Sequence, residues 1–473
     1  MMKNKDNKVG LIGLIAIVFG SMVGSGVFNI PQNIAHGAAL GAVIISWIIS
    51  GIGIWFLIRS FAILSDQRQD IKSDIYAYAE EGFGKYVGFN AAWGYWLCAA
   101  FGNVAFAVML NDAFGSFFPI LLEHGKEMII VGSVFIWLMN YLSMYGTSNT
   151  AFLNTVSTIA KFIGLIAIIG LMLIYTQIDN LSFDIWGTNL NLGGLGSQIK
   201  STMMVTLWCF IGIEGAVVIS TKAKKRADVS KATAIGFFAA LIIYVLISVL
   251  SFGLMKQTEL AQLLTPSTGG VIASAVGNWG VLFVNICVII SILGAWIAWT
   301  ILVAEVPSQA AKNGVMPKFF DLDNKHGAPK NSLIISSIVI QITLLCVVFA
   351  QHVYLAAINI AGVMILPTYF LSSLFLVKEA YNRNIYKQDI KKRRKAFLIG
   401  LFSSIYCAWL MYAAGLNYIL MSSIFYAIGF GFYYQMHKKD TFVLSFKERI
   451  LAAIFIFIAL VELYLLISGK VSA

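Results

Sequence analysis

Gly20-Ser21-Met22-Val23-Gly24-Ser25-Gly26-Val27-Phe28, in the first apolar segment of the chain, and Trp208-Cys209-Phe210-Ile211-Gly212-Ile213-Glu214-Gly215, in the sixth, decide the fold. Each is a glycine-rich interruption of a run otherwise suited to a continuous membrane helix, and the two lie five segments apart. In hydrocarbon, unwound backbone is tolerated only where it is buried in protein or lines a cavity, and there its freed N–H and C=O groups can hold a polar solute. Breaks at matching positions of two five-helix halves therefore predict an all-α membrane transporter for small molecules, built as an inverted repeat. Glycine admits positive φ and brings a ligand against bare amides, and a helix start facing the first gap favours an anion such as a carboxylate. Gly20 and Gly24 also fit a small-xxx-small packing seam. The second break weighs against packing alone, because it adds an indole and a carboxylate. A charge at that depth costs about 2.5–3.5 kcal/mol on insertion scales.

Composition agrees with this reading. The 473 residues are 59% hydrophobic and 12% charged, which leaves too little polar surface for a soluble globule. Stretches of about 20 uncharged residues, enough to cross roughly 30 Å of hydrocarbon, recur along the whole chain. They predict spans at 9–35, 38–64, 88–118, 127–145, 155–176, 199–220, 232–255, 272–304, 332–350, 353–377, 396–415, 417–436 and 447–468. The total is thirteen, or twelve if the last segment lies on the membrane surface. Basic residues gather on alternate loops: Lys3, Lys5 and Lys8; Arg68, Lys72 and Lys85; Lys222 to Lys231; Lys312 to Lys330; Lys378 to Lys395; and Lys438 to Arg449. Opposite them stand little more than Lys126, Lys200, Lys256 and Lys470. Positive loops are retained in the cytoplasm, so the N-terminus is expected inside. The net charge of +11 then reflects topology and contact with anionic lipid, with no nucleic-acid partner implied.

The search for other chemistry returns little. Cys98, Cys209, Cys287, Cys346 and Cys407 fall inside apolar spans without paired spacing, the five histidines are scattered, and no Walker-type loop is present. No metal, no cofactor and no catalytic constellation is expected. The outer loops are short for a receptor ectodomain, and no ring of charges suggests a channel. The intramembrane ionisable residues are Lys161, Glu214, Asp112 and Glu462, of which Asp112 is read as a solvated vestibule residue. Lys161 has an alternative reading as a lysine that snorkels to the inner surface.

The first-span motif, Tyr95-Trp96 with Gly102-Asn103 in span 3, Trp208 to Gly215 in span 6, and Trp299-Thr300 with Pro307 and Ala310-Ala311 after span 8 together resemble the amino acid–polyamine–organocation superfamily. Within it they look most like the basic amino acid/polyamine antiporters, and the run Phe210 to Val218 most like the arginine/ornithine exchanger branch. The resemblance implies a leucine-transporter-like five-plus-five inverted repeat over residues 1–378, with spans 11–13 in 379–473 as a flanking scaffold or an oligomer surface, a homodimer being the assembly to test. It implies that Ser25 and Gly26 bind the substrate carboxylate and that carbonyls near Ile211 take the α-amino group. Trp208 would stack on the cationic side-chain end, and Trp299, Asn103 and Cys98 would complete the pocket. Glu214 with Tyr95 would form a gate coupled to protonation, and Tyr76, in the loop after span 2, would join the inner closure. Lys161 resembles a lysine that some relatives place where sodium sits in others, and it would serve in gating or proton coupling.

The expected activity is exchange of arginine for ornithine or a related product across the bacterial cytoplasmic membrane. Three alternatives stay open: proton-coupled uptake, exchange of another amino acid or amine such as agmatine/putrescine, histidine/histamine or lysine/cadaverine, and a nutrient sensor that binds without turnover.

Overall fold

A computed structural model describes residues 10–71, 75–123, 125–145, 147–214, 223–347, 353–437 and 444–468, with the backbone alone for 147–155, 226, 227, 347 and 467. Gly215, Lys222, Lys72, the basic residues before Gly10, Lys438 and Lys470, all named above, lie outside the described residues. Every long element is a helix, and no strand forms among the described residues. Ten of these helices are long and apolar enough to cross a bilayer, and the pair Leu11–Met22 and Gly26–Ala35, bent by 41°, makes an eleventh. The sixth and ninth of the thirteen predicted spans are shorter: Leu195–Phe210, which runs into the second break, and the 18-residue Lys330–Val347.

Span 8 differs from its prediction. The apolar run read as one segment over 272–304 is two helices, Ser267–Val276 and Trp279–Lys312. Gly277, at φ +82°, ends the first, a left-handed stop that glycine adopts without the Cβ penalty. Asn278 follows it, a Gly-Asn turn signal that an average over the apolar residues on either side runs through. Span 2 continues to Gln67 and span 10 to Tyr381, each beyond its predicted end. Tyr76, read as a loop residue, begins a short helix, Tyr76–Phe83.

The chain divides into two compact units. The first comprises Met1–Asp66, Val108–Met128 and Ser148–Ala298; the second comprises Gln67–Ala107, Ile129–Thr147 and Trp299–Ala473. In the first, hydroxyls tie helices together where water cannot: Ser50 and Thr206 share a 2.7 Å hydrogen bond, Thr202 donates to Ser46 at 2.7 Å, and the Trp47 indole donates to Ser248 at 2.9 Å. The second uses the same device. Trp96 donates to Ser336 at 2.9 Å, Ser332 to the Ala304 carbonyl at 2.6 Å, and Thr368 to the Ala91 carbonyl at 2.9 Å. Such bonds let small polar residues pack tightly inside an apolar bundle.

Candidate functional site

In the first unit the site is built on the two breaks. Leu11–Met22 ends at Val23, whose backbone (φ −83°, ψ 82°) leaves the helical region, and the chain resumes as a 3-10 turn, Gly26–Asn29, followed by Ile30–Ala35 with proline in its first turn. Between them Gly24 and Ser25 are buried and belong to neither helix, although Ser25 already holds helical angles (φ −72°, ψ −33°). The second break follows Phe210. Ile211 turns extended (ψ 135°) and Gly212 takes φ +102°. A helix that stops in mid-bilayer leaves carbonyls without their usual partners. Lys161 answers two of them, donating from Nζ to the Val23 carbonyl at 2.8 Å and to the Gly20 carbonyl at 3.2 Å. Its side chain is 0% exposed, so it does not snorkel. In span 6, Tyr244 donates to the Cys209 carbonyl at 2.8 Å.

The two breaks touch. Ser21 donates from its hydroxyl to the Gly212 carbonyl at 2.8 Å while also reaching its own Val18 carbonyl at 2.9 Å. A Cβ built on Gly212 would lie 2.9 Å from the Ser21 carbonyl oxygen, and one built on Gly26 would lie 2.9 Å from Cδ1 of Trp208. The Trp208 indole is therefore laid over the bare backbone of Gly26, and the glycines are what permit both approaches. Ser25, Ile211 and Glu214 are buried beside these contacts in the same two segments.

The second unit carries Tyr76, Tyr95, Cys98, Asn103 and Trp299, all buried. Asn103 donates to the Ala99 carbonyl at 2.7 Å and accepts from the Thr300 hydroxyl at 3.3 Å, which fixes its amide and leaves one N–H for another acceptor. Trp299, next along from Thr300, meets Phe106 edge to face with ring centroids 6.0 Å apart. Tyr76 accepts from the Asn313 amide at 3.2 Å. Asp112 corrects its prediction: at 3% exposure it is buried, and Asn111 lies beside it at 3.5 Å. No group of three or more His, Cys, Asp or Glu able to hold a metal is found among the described residues.

Sequence reading missed the roles of Ser21 and Tyr244. Ser21 stood inside the quoted motif, yet its partner is 191 residues away, and Tyr244 carries no local signal at all.

A membrane helix broken between Met22 and Gly26, and a second that stops at Phe210 with its end packed against that break, define a secondary transporter of the broken-helix class. The chain belongs to the amino acid permease family, whose profile matches residues 9–460. It is 41% identical, over 98% of its own length and 97% of the relative's, to a protein of Chlamydia abortus named arginine/agmatine antiporter. It is 43% identical, over the same shares, to a protein of that name from Chlamydia trachomatis serovar L2. The fold is that of the crystal structure of MhsT in complex with L-phenylalanine, with a TM-score of 0.60 and 14% identity, covering 85% of this chain and 98% of that one. The protein is thus a multi-pass membrane transporter.

Proposed function

We propose that this transporter exchanges arginine for agmatine, with ornithine as the competing counter-substrate. The observation that carries the reading is the Trp208 indole held over the Gly26 backbone, in a chain whose close relatives bear the arginine/agmatine name. The amides of Ser25 and Gly26 take the α-carboxylate, the carbonyl at Ile211 takes the α-amino group, and Trp208 faces the guanidinium, a cation–π contact worth up to about 2 kcal/mol when desolvated. Agmatine lacks the carboxylate and keeps the guanidinium, so the indole is the contact common to both substrates. On the second unit we assign Cys98, Asn103 and Trp299 to the substrate, Tyr95 to gating and Tyr76 to closure at the cytosolic end; on the first we assign Glu214 to gating. We place the protein in the bacterial cytoplasmic membrane with its N-terminus inside, residues 1–378 as the transport core and 379–473 as a flank on which a homodimer would form.

Charge decides between the counter-substrates. Decarboxylation removes one negative charge, so one-for-one exchange of arginine for agmatine moves a net charge, whereas exchange for ornithine moves none. In proteoliposomes of purified protein, labelled arginine uptake is expected to require internal agmatine and to respond to an imposed potassium diffusion potential. Uptake that responds only to internal ornithine, without voltage dependence, would assign the other partner. A second reading, proton-coupled uptake, draws on Lys161 at the first break. It predicts accumulation in empty vesicles under an inward proton gradient. Trp208→Leu is expected to weaken arginine by roughly ten- to thirtyfold, the equivalent of about 2 kcal/mol, while a small neutral amino acid loses far less. An equal loss for both would make Trp208 a packing residue.

A further inference from the structure

The Arg68 side chain, just past the end of span 2, is held by three carboxylates. Nη1 donates to Glu379 at 2.7 Å, Nη2 to Asp70 at 2.7 Å and to Glu81 at 3.0 Å, and the guanidinium lies 5.4 Å from the centre of the Phe375 ring. Asp70 and Glu81 are exposed, whereas Glu379, near the end of span 10, is 4% exposed. Two further bonds join the same segments: Ser372 donates to the Ile75 carbonyl at 3.1 Å, and Lys378 donates to the Gly82 carbonyl. The bonds to Glu379, Ser372 and Lys378 and the contact with Phe375 tie Arg68 and the segment from Ile75 to Phe83 to span 10, while Asp70 and Glu81 hold Arg68 from its own side. An eight-residue helix such as Tyr76–Phe83 has little stability of its own, so its position depends on them. Its first residue, Tyr76, is the one bonded to Asn313 at the end of span 8.

The carboxylate and aromatic cage around Arg68 has the chemistry of a guanidinium site, but a tethered arginine outcompetes free ligand through its effective concentration. The cage therefore reads as a joint within the chain. Each half of the pair, Glu379 buried and Arg68 partly exposed, also has a fallback partner on its own side. Arg68 retains Asp70 and Glu81 if it leaves Glu379, and Glu379 retains the Asn384 amide, which donates to its other oxygen at 2.8 Å. A buried pair with no such fallback strands a charge when it parts; this one does not. An open cleft of about 430 Å³, lined by Arg68, Glu379, Asn384 and Lys387 among others, gives water a path to it.

We propose that Arg68 and Glu379 form a releasable latch that docks the Tyr76–Phe83 helix on span 10 and sets how readily the transporter opens at that end. The proposal rests on the exchange reading above, and Arg68 acts in it as a positioning residue for Tyr76. A Cβ built on Gly82 would lie 3.5 Å from Cβ of Phe375, within the range of a disulfide, and none of the five native cysteines lies on either helix. In the full-length Gly82→Cys/Phe375→Cys protein, oxidation is expected to form the cross-link and stop arginine exchange, and reductant to restore it, with each single-cysteine variant oxidised in parallel as reference. Undiminished exchange by the cross-linked protein overturns the latch, and failure to cross-link overturns the docking itself.

Glu379→Gln supplies a second readout. Weakening the latch populates the cytosol-open state, so the ratio of arginine KM at the outer face to that at the inner face is expected to rise on the order of tenfold. A merely structural role would lower abundance and leave that ratio unchanged. Absence of arginine exchange in the wild-type protein would instead refute the functional reading, while cross-linking would still report on the joint.

Discussion

Lys161→Ala is expected to lower arginine exchange on the order of a hundredfold at equal membrane abundance. The Lys161 ammonium sits between the Gly20 and Val23 carbonyls at 3.2 and 2.8 Å, where the first helix has already ended. Span 5 comes close at this point, since a Cβ on Gly20 would lie 2.9 Å from the Thr158 hydroxyl. Removing the ammonium leaves two buried carbonyls short of a donor, at about 1–3 kcal/mol each, and the break loses the cation that fixes its shape. A loss of roughly 3 kcal/mol corresponds to about two decades in an equilibrium or a rate. Lys161→Met keeps the length and removes the charge, so it should resemble alanine; Lys161→Arg keeps the donors and should retain part of the activity. The measurement is initial-rate exchange across a pH series in proteoliposomes. An alanine variant with the wild-type rate and the wild-type pH dependence would remove Lys161 from the mechanism.

Lys161 and the two breaks were legible for a common reason. Each is a local feature that hydrocarbon penalises: a single charge in the otherwise uncharged span 5, and glycines followed by a carboxylate in span 6. The division of span 8 was passed over, because the pair Gly277-Asn278 is too short to lower the hydropathy of the apolar run around it. The pairing of Ser21 with Gly212 and of Arg68 with Glu379 spans 191 and 311 residues respectively. One sequence holds no signal for contacts of that reach. Arg68 was visible only as one more cytosolic positive charge, and Glu379 as nothing in particular. Asp112 shows the opposite error, since distance from a span end suggested solvent and the packing around span 3 removed it. Hydropathy thus locates helices and costly groups, and the partner that makes a costly group tolerable comes only from tertiary structure.

That distinction separates two glycine substitutions that look alike in sequence. Gly212→Ala is expected to abolish both stable insertion and exchange, because its two penalties have no relief. The backbone stands at φ +102°, where an L residue costs about 1–2 kcal/mol. The new Cβ would lie 2.9 Å from the Ser21 carbonyl oxygen and 3.0 Å from its carbon. Those are main-chain atoms of the other break, so the two broken helices must part, and the Ser21 hydrogen bond to the Gly212 carbonyl is lost with them. At Gly26 the conflict is with Cδ1 and Nε1 of the Trp208 ring, at 2.9 and 3.0 Å, and a side chain can rotate away. Gly26→Ala should therefore insert and melt like the wild type while raising the arginine KM about tenfold, close to the effect of losing the indole contact. Thermal unfolding of the purified variants beside arginine exchange checks both. A Gly212→Ala protein with wild-type melting and exchange would show that the breaks do not bear on each other. A Gly26→Ala protein that fails to insert would show that Trp208 supports the fold before it meets any substrate.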